Sequence, residues 1–232
     1  MVLDKITQEL RNYLYEQKVR NTSFKQNVNF DVPYMCQFAT PEHAELSLKK
    51  ELAPIDDPKW KETGAISPER YAQWAFTMCG MASAAMAIEH FEKKKILPAE
   101  LAEDALAAGV YKEEPGDISS MRYKEFADWI RKYNLMATVY SKLSIKGIEF
   151  ALSEGKLVII SVNPNIRGYE TAPVDQKGGH LVIATGYNLQ KGTISINNPS
   201  GFVSMGTQVN HTLHVQEFAK FYAGRGIVLS RI

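Results

Sequence analysis

Residues 77–88, with the sequence TMCGMASAAMAI, decide the fold of this chain. Cys79 stands directly before a run of small and apolar residues that predicts a buried helix over 79–93. The N-terminus of a helix presents unpaired N–H groups and the positive end of the helix dipole, and both favour an anion. A thiolate is such an anion, so Cys79 is a candidate nucleophile. A lone cysteine among Met and Ala is otherwise a small buried hydrophobic residue.

Two later segments offer partners for a cysteine nucleophile. Residues 178–186, GGHLVIATG, predict a strand that opens with His180, and residues 194–199, ISINNP, predict a strand that ends in two amides. An imidazole base has to lie near the nucleophile, and a second group has to fix its tautomer. The order cysteine, histidine, asparagine is typical of thiol hydrolases. Asn198 is the preferred orienting amide, with Asn197 as the alternative, because strand alternation lets only one of them face the ring.

A thiol hydrolase also needs hydrogen-bond donors for the oxyanion of its intermediate. The backbone N–H of Cys79 is one natural donor. Gln37, at the end of a short extended segment over 30–37, is a candidate for a second, side-chain donor. The plainer interpretation of Gln37 is a polar residue that follows a strand.

Composition narrows the class of protein. The chain has 232 residues, 45% of them hydrophobic and 23% charged, with a net charge of +1. Such a balance gives no reason to expect nucleic acid or an anionic membrane as a partner. Two cysteines do not make a disulfide framework and fit a reducing compartment. We therefore expect a cytoplasmic protein with no cofactor and no metal, and the oligomeric state stays open.

Helices dominate the first two thirds of the chain and strands the last third, which predicts an α+β fold and not a doubly wound sheet. The expected organisation is a single domain over 1–232, with a helical extension over 1–28 and an insertion over 38–78. The long loop over 163–178, which carries Arg167, Tyr169 and Glu170, is expected to form one rim of the cleft. Hydrophobic periodicity predicts helices at 3–19, 43–51, 67–76, 79–93, 98–108, 121–133, 144–153 and 215–223, and strands at 135–140, 156–162, 179–187, 193–197 and 225–230.

Together, four motifs resemble the bacteriocin-leader-processing group of papain-like cysteine peptidases, and more closely the stand-alone relatives of that group. They are VPYxxQ at 32–37, CGMASAAM at 79–86, GHLVIATGYN at 179–188 and ISINNPSG at 194–201. The resemblance implies a papain-like α+β fold, with the nucleophile helix packed on an antiparallel sheet. It also implies a catalytic set of Cys79, His180, Gln37 and the residue before Pro199.

The chain departs from that family in two places. The family usually has aspartate before the proline, where this chain has Asn198. An amide does not raise the pKa of the histidine as a carboxylate does, so a weaker ion pair is expected. The family often has its glutamine only a few residues before the cysteine, whereas residues 38–78 separate the two here. The sequence therefore leaves open whether Gln37 reaches the site.

These observations predict a thiol-dependent amide hydrolase, a peptidase acting on a peptide or a small amide through an acyl-enzyme. Two alternatives remain. The same site supports an acyl or peptidyl transferase or a cyclase if an amine intercepts the acyl-enzyme. An inactive relative that binds peptides is the third possibility, because of the Asp-to-Asn change and the distant glutamine.

Overall fold

The computed structural model describes residues 2–168 and 177–232. The predicted helices and strands occur in the predicted order, four short strands were not predicted, and the α+β class is confirmed. The helices are α1 (Val2–Asn21), α2 (His43–Leu48), α3 (Pro68–Ala75), α4 (Cys79–Glu92), α5 (Pro98–Ala107), α6 (Tyr123–Trp129), α7 (Ile145–Ser153) and α8 (Val215–Phe221). The strands are β1 (Asn27–Asn29), β2 (Glu113–Glu114), β3 (Asp117–Ile118), β4 (Leu135–Tyr140), β5 (Leu157–Val162), β6 (His180–Asn188), β7 (Thr193–Asn197), β8 (His211–His214) and β9 (Tyr222–Arg231).

Seven of these strands form one antiparallel sheet, in the order β4-β9-β5-β6-β7-β8, and β1 pairs with the end of β6. Strands β5 and β6 are the most deeply buried, and almost every residue of both is shielded from solvent. Strand β6 begins at His180, which pairs with Val162 at the end of β5. The sheet therefore fixes the backbone of His180 from the side of β5.

Helix α4 packs directly on the sheet, against β5, β6 and β9. Ala, Met, Gly and Ser make up most of the run from Gly80 to Ile88, and every residue of this run is buried. Small side chains let the helix approach the strands closely, and Met81 and Met86 fill the remaining space. This packing holds the first turn of α4, and with it Cys79, against the start of β6.

Helix α1 contacts the rest of the protein through polar side chains, together with the buried Val19 and the ring of Tyr15. Gln8 Nε2 donates to the carbonyl of Val139 at 2.9 Å, Asn12 Nδ2 donates to Ser141 Oγ at 2.9 Å, and Tyr15 OH donates to the carbonyl of Gly147 at 2.9 Å. The periodic apolar side chains that predicted this helix are instead exposed to solvent; they are Ile6, Leu10, Tyr13 and Leu14. Periodicity thus predicted the helix but did not indicate which side contacts the protein.

The segment over 38–78 forms α2, two short 3-10 helices and α3. It is fixed by Asp57, whose carboxylate accepts hydrogen bonds from Thr40 N at 2.9 Å and from Thr40 Oγ1 at 2.7 Å. Helix α3 begins with a Ser67 cap, which accepts from Arg70 N at 3.1 Å. Within residues 2–168 and 177–232, no helix has the length and hydrophobicity that a membrane span requires.

Candidate active site

Cys79 is the first residue of α4, as the sequence predicts. The chain reaches it through a tight turn after α3, in which the N–H groups of Thr77 and Met78 both donate to the carbonyl of Trp74. Cys79 and His180 line the same cleft, which has a volume of about 450 Å³. The fold therefore brings together two residues that are about a hundred positions apart in the chain.

His180 is buried and held from two directions. Gly178 and Gly179 have φ angles of +112° and +97°, a backbone conformation that favours glycine, and they turn the chain into β6 immediately before the histidine. The ring nitrogen Nε2 lies 2.8 Å from Asn198 Oδ1 and 3.2 Å from Ser200 Oγ. An amide oxygen only accepts hydrogen bonds, so Nε2 carries the proton and Nδ1 is left as the basic atom.

Asn198, and not Asn197, faces the histidine ring. Asn198 Oδ1 also accepts from the backbone N–H of Ser200 at 3.2 Å, and two donors on one atom fix the orientation of the amide. The nitrogen Nδ2 of Asn198 is buried without a partner in the described structure. Asn197 points elsewhere, donating to the carbonyl of Val32 at 3.1 Å and accepting from Asn210 N at 2.8 Å.

Gln37 is fully buried, and it does not line the cleft in the part of the chain that the structure describes. Its backbone N–H donates to the carbonyl of Pro199 at 2.8 Å, which ties it to the segment after Asn198. Its side-chain Nε2 donates to the carbonyl of Ala75 at 2.7 Å, in the turn that leads to Cys79. One of the two Nε2 hydrogens is therefore engaged, and the other has no acceptor assigned to it.

Arg167 lies on the Nδ1 side of the histidine ring. It ends a short 3-10 helix after β5, and its Nη2 is 3.5 Å from His180 Nδ1. Its Nε donates to Ser200 Oγ at 2.7 Å, and its carbonyl accepts from Thr207 Oγ1 at 2.6 Å. Of the predicted rim residues, Arg167 is half-buried and is not among the described residues that line the cleft. Tyr169 and Glu170 fall outside the described residues.

Burial and Arg167 together set the protonation of the pair. Burial raises the pKa of the Cys79 thiol, while the backbone N–H of Leu181 and the charge of Arg167 oppose that rise. Burial also lowers the pKa of His180 well below its usual range, and the charge of Arg167 lowers it further. Both effects favour an uncharged thiol and an uncharged imidazole in the same cleft of the resting protein.

The guanidinium of Arg167 remains charged at neutral pH. Burial lowers its pKa to about 10, and no carboxylate among the described residues pairs with it. A buried cation without a counter-ion stabilises any anion that forms beside it. Arg167 is therefore placed to favour the Cys79 thiolate once the proton leaves.

Arg167 and Ser200 belong to this site; sequence reasoning placed Arg167 on the rim of the cleft, without a contact to the histidine, and gave Ser200 no role. Arg167 is a single basic residue on a polar loop, where neither periodicity nor a motif sets it apart. Ser200 had a weak signal, because it stands two residues after Asn198 within the motif ISINNPSG. Within the described residues, no group of three His, Cys, Asp or Glu side chains is arranged to hold a metal ion.

Comparisons with known proteins identify the family. Among solved structures, a double glycine motif protease from an AMS/PCAT transporter, in complex with the leader peptide, is 15% identical, with a TM-score of 0.48, over 90% of this chain and 99% of that one. The peptidase domain of Streptococcus ComA, a bifunctional ABC transporter, is 13% identical, with a TM-score of 0.43, over 67% of this chain and 92% of that one. A search of curated proteins finds no match. The model described as "Peptidase_C39 like family" matches residues 66–228, and the chain therefore belongs to the Peptidase_C39-like family.

Proposed function

We propose that this chain is a cysteine peptidase that cleaves an amide bond of a peptide through an acyl-enzyme on Cys79. The observation that carries the proposal is the His180 ring, whose Nε2 is 2.8 Å from Asn198 Oδ1 while the residue lines the same cleft as Cys79. Family membership supports the reaction class. Both cysteines are free thiols, and we place the reaction in the cytoplasm.

The reaction starts from neutral groups. His180 Nδ1 accepts the proton of the Cys79 thiol as the sulfur attacks the substrate carbonyl. The imidazolium that forms is stabilised by the acceptor Asn198 Oδ1, and it then gives its proton to the leaving amine. Water attacks the thioester, with His180 again as the base, and the free thiol is regenerated.

Two donors serve the oxyanion in this proposal. The backbone N–H of Cys79 is at the N-terminus of α4, where the helix dipole adds to its effect. Gln37 supplies the second donor from the Nε2 hydrogen that Ala75 does not take. Its amide is anchored at Ala75, four residues before the nucleophile and at the start of the turn that leads to Cys79.

The test is cleavage profiling of a proteome-derived peptide mixture by mass spectrometry. We expect the wild-type protein to generate new peptide termini that Cys79→Ala and His180→Ala do not. The matched control is Cys36→Ala, because Cys36 is the other free thiol and its Sγ contacts the carbonyl of Pro199 instead of the cleft. New termini that persist in Cys79→Ala would contradict the proposal.

The same samples separate the other reaction classes. Products that carry the mass of an added amine, formed at the expense of hydrolysed products, would identify a transferase. No new termini, together with equal and slow alkylation of Cys36 and Cys79 by iodoacetamide, would identify an inactive peptide-binding relative.

A further inference from the structure

The lining of the cleft beside Cys79 combines apolar and polar side chains. Its apolar residues include Phe76, Ile118 and Met121. Its polar residues include Ser161 and Arg225. Among the described residues that line the cleft, none is acidic, so its only fixed charge is positive.

Arg225 is positioned close to the catalytic histidine. It lies on β9, and its Nη2 packs against Gly178, at a point where any Cβ would collide with it. The same Cβ would lie 3.2 Å from Ser161 Oγ, so the guanidinium and the hydroxyl converge on one spot. The backbone that they flank leads directly into His180.

Arg225 has no carboxylate partner among the described residues. Three other arginines do: Arg70 pairs with Glu103 and Glu113, Arg122 with Glu125, and Arg231 with Glu92. A guanidinium presents several donors in a plane that matches a carboxylate, and a concave, partly desolvated wall strengthens that attraction.

We propose that Arg225 and Ser161 form a carboxylate-binding subsite, so that the favoured substrates carry a carboxylate next to the bond that Cys79 attacks. As a statement about substrates this rests on the proposed function, but carboxylate binding in the cleft is measurable without any cleavage. The carboxylate belongs either to an acidic side chain or to the C-terminus of the peptide.

The first test compares two alkylating agents at Cys79. Iodoacetate carries a carboxylate and iodoacetamide does not, while both transfer the same kind of group to sulfur. We expect the iodoacetate-to-iodoacetamide rate ratio at Cys79 to exceed the ratio at Cys36 in the same molecule. Arg225→Met should lower the Cys79 ratio by about 10-fold, and Arg225→Lys should lower it less. A change in the intrinsic reactivity of the thiol alters both rates by the same factor, so it does not change their ratio.

The control is Arg131→Met, which makes the same substitution at an exposed arginine outside the cleft. It should leave the ratio unchanged. An unchanged ratio in Arg225→Met would overturn the proposal, whether or not the protein cleaves peptides. Because this readout needs no substrate, it separates a failure of the subsite from a failure of the proposed peptidase function.

The second test uses peptides cut by the wild-type protein. Each is made with Asp or Asn at the positions beside the cleaved bond, and with a free or an amidated C-terminus. We expect the carboxylate form to have a kcat/KM about 10-fold higher, and Arg225→Met to abolish that preference. An effect of the side chain identifies an internal acidic residue, and an effect of amidation identifies the terminal carboxylate. No preference in either pair would overturn the proposal.

Discussion

At the scale of single residues, the side chain of Asn198 makes its described hydrogen bonds only through its oxygen. Oδ1 accepts from His180 Nε2 and Ser200 N, while Nδ2 is buried without a partner in the described structure. An aspartate at this position keeps both acceptor contacts and removes an unsatisfied donor. It also adds a negative charge, which raises the pKa of His180 and stabilises an imidazolium beside a thiolate.

Asn198→Asp should therefore keep activity and extend Cys79 alkylation to lower pH than in the wild type. Asn198→Ala should lower kcat by about 10–100-fold, because the ring loses the acceptor that fixes its tautomer. The measurements are kcat on a cleaved peptide and the iodoacetamide rate at Cys79 against pH, for the three proteins. If the Asp variant has the same pH profile as the wild type, the ring is not coupled to this side chain.

Arg167 gives a second prediction at this scale, because its charge acts on both members of the pair. Removing it should raise the pKa of Cys79 and the pKa of His180 together. Arg167→Met should slow alkylation of Cys79 at neutral pH by about 10-fold, and Arg167→Lys should recover much of that rate. The pKa of His180 is followed by NMR on the same samples.

A loss of packing alone would give a different result for Arg167→Met. It would lower stability but leave the pH dependence of alkylation and the titration of His180 as they are in the wild type. A lysine that fails to restore the rate would show that the hydrogen bond from Nε to Ser200 matters more than the charge.

At the scale of elements, Gly186 determines whether β1 can lie on β6. Gly186 pairs with Asn29, and a Cβ there would overlap the carbonyl oxygen of Val28 and lie 3.1 Å from the Asn29 Cα. Gly186→Ala should displace β1 and lower the free energy of unfolding by about 1–3 kcal/mol, because backbone atoms cannot rearrange as a side chain does. Urea unfolding measures this cost.

Hydrogen exchange shows which part of the sheet Gly186→Ala destabilises. The amides of Phe30 and Leu189, which bond to Thr185 and Gln26 across this junction, should exchange faster than in the wild type. Strand β4 pairs with β9 at the other edge of the sheet and serves as the internal control. Uniform protection across both regions would show that β1 tolerates the methyl group.

Local patterns predicted most elements because these elements carry their own signals. The apolar run after Cys79 predicted the start of α4, and the apolar run after Gly179 predicted the start of β6. The predicted end of β7 at residue 197 likewise indicated the position of Asn198, the amide before Pro199. These three boundaries are the positions of the candidate catalytic residues, so the site was accessible from sequence.

Features that depend on long-range contacts could not be predicted from the sequence. The apolar stripe of α1 predicted a helix, yet Ile6 and Leu10 face solvent because the polar side chains of α1 bond to the body. The Gln37 amide is directed by its hydrogen bond to the carbonyl of Ala75. Residues 38–74 lie between the two, and no local sequence pattern predicts the path of that segment. Arg167 is similar, since its partners Ser200 and His180 come from other elements.

At the scale of the whole molecule, the site exists only in the packed protein. Cys79 begins a helix, His180 begins a strand of the sheet, and Asn198 directly follows another strand. The histidine is therefore buried by folding and exposed by unfolding. Burial lowers the pKa of His180 well below its usual value, so the unfolded chain binds a proton that the folded protein excludes.

This difference in proton binding makes stability depend on pH. A histidine whose folded pKa is lowered stabilises the fold above its unfolded pKa of about 6.5. That contribution is lost as the pH falls below this value, by up to about 1.4 kcal/mol for each pH unit. Burial also lowers the pKa of His90 and of His211, which adds to the same trend. We expect the free energy of unfolding, measured in urea, to fall between pH 7.5 and pH 5.5 by about 1–2 kcal/mol.

Two substitutions with opposite expected effects test this explanation against a general effect of acid. Burial raises the pKa of Glu149, so the folded protein takes up a proton there on acidification and gains stability, which offsets part of the loss. His180→Gln should flatten the decline between pH 7.5 and pH 5.5, and Glu149→Gln should steepen it. Equal slopes in both variants and the wild type would show that neither group controls stability in this range, and that the loss comes from surface charge.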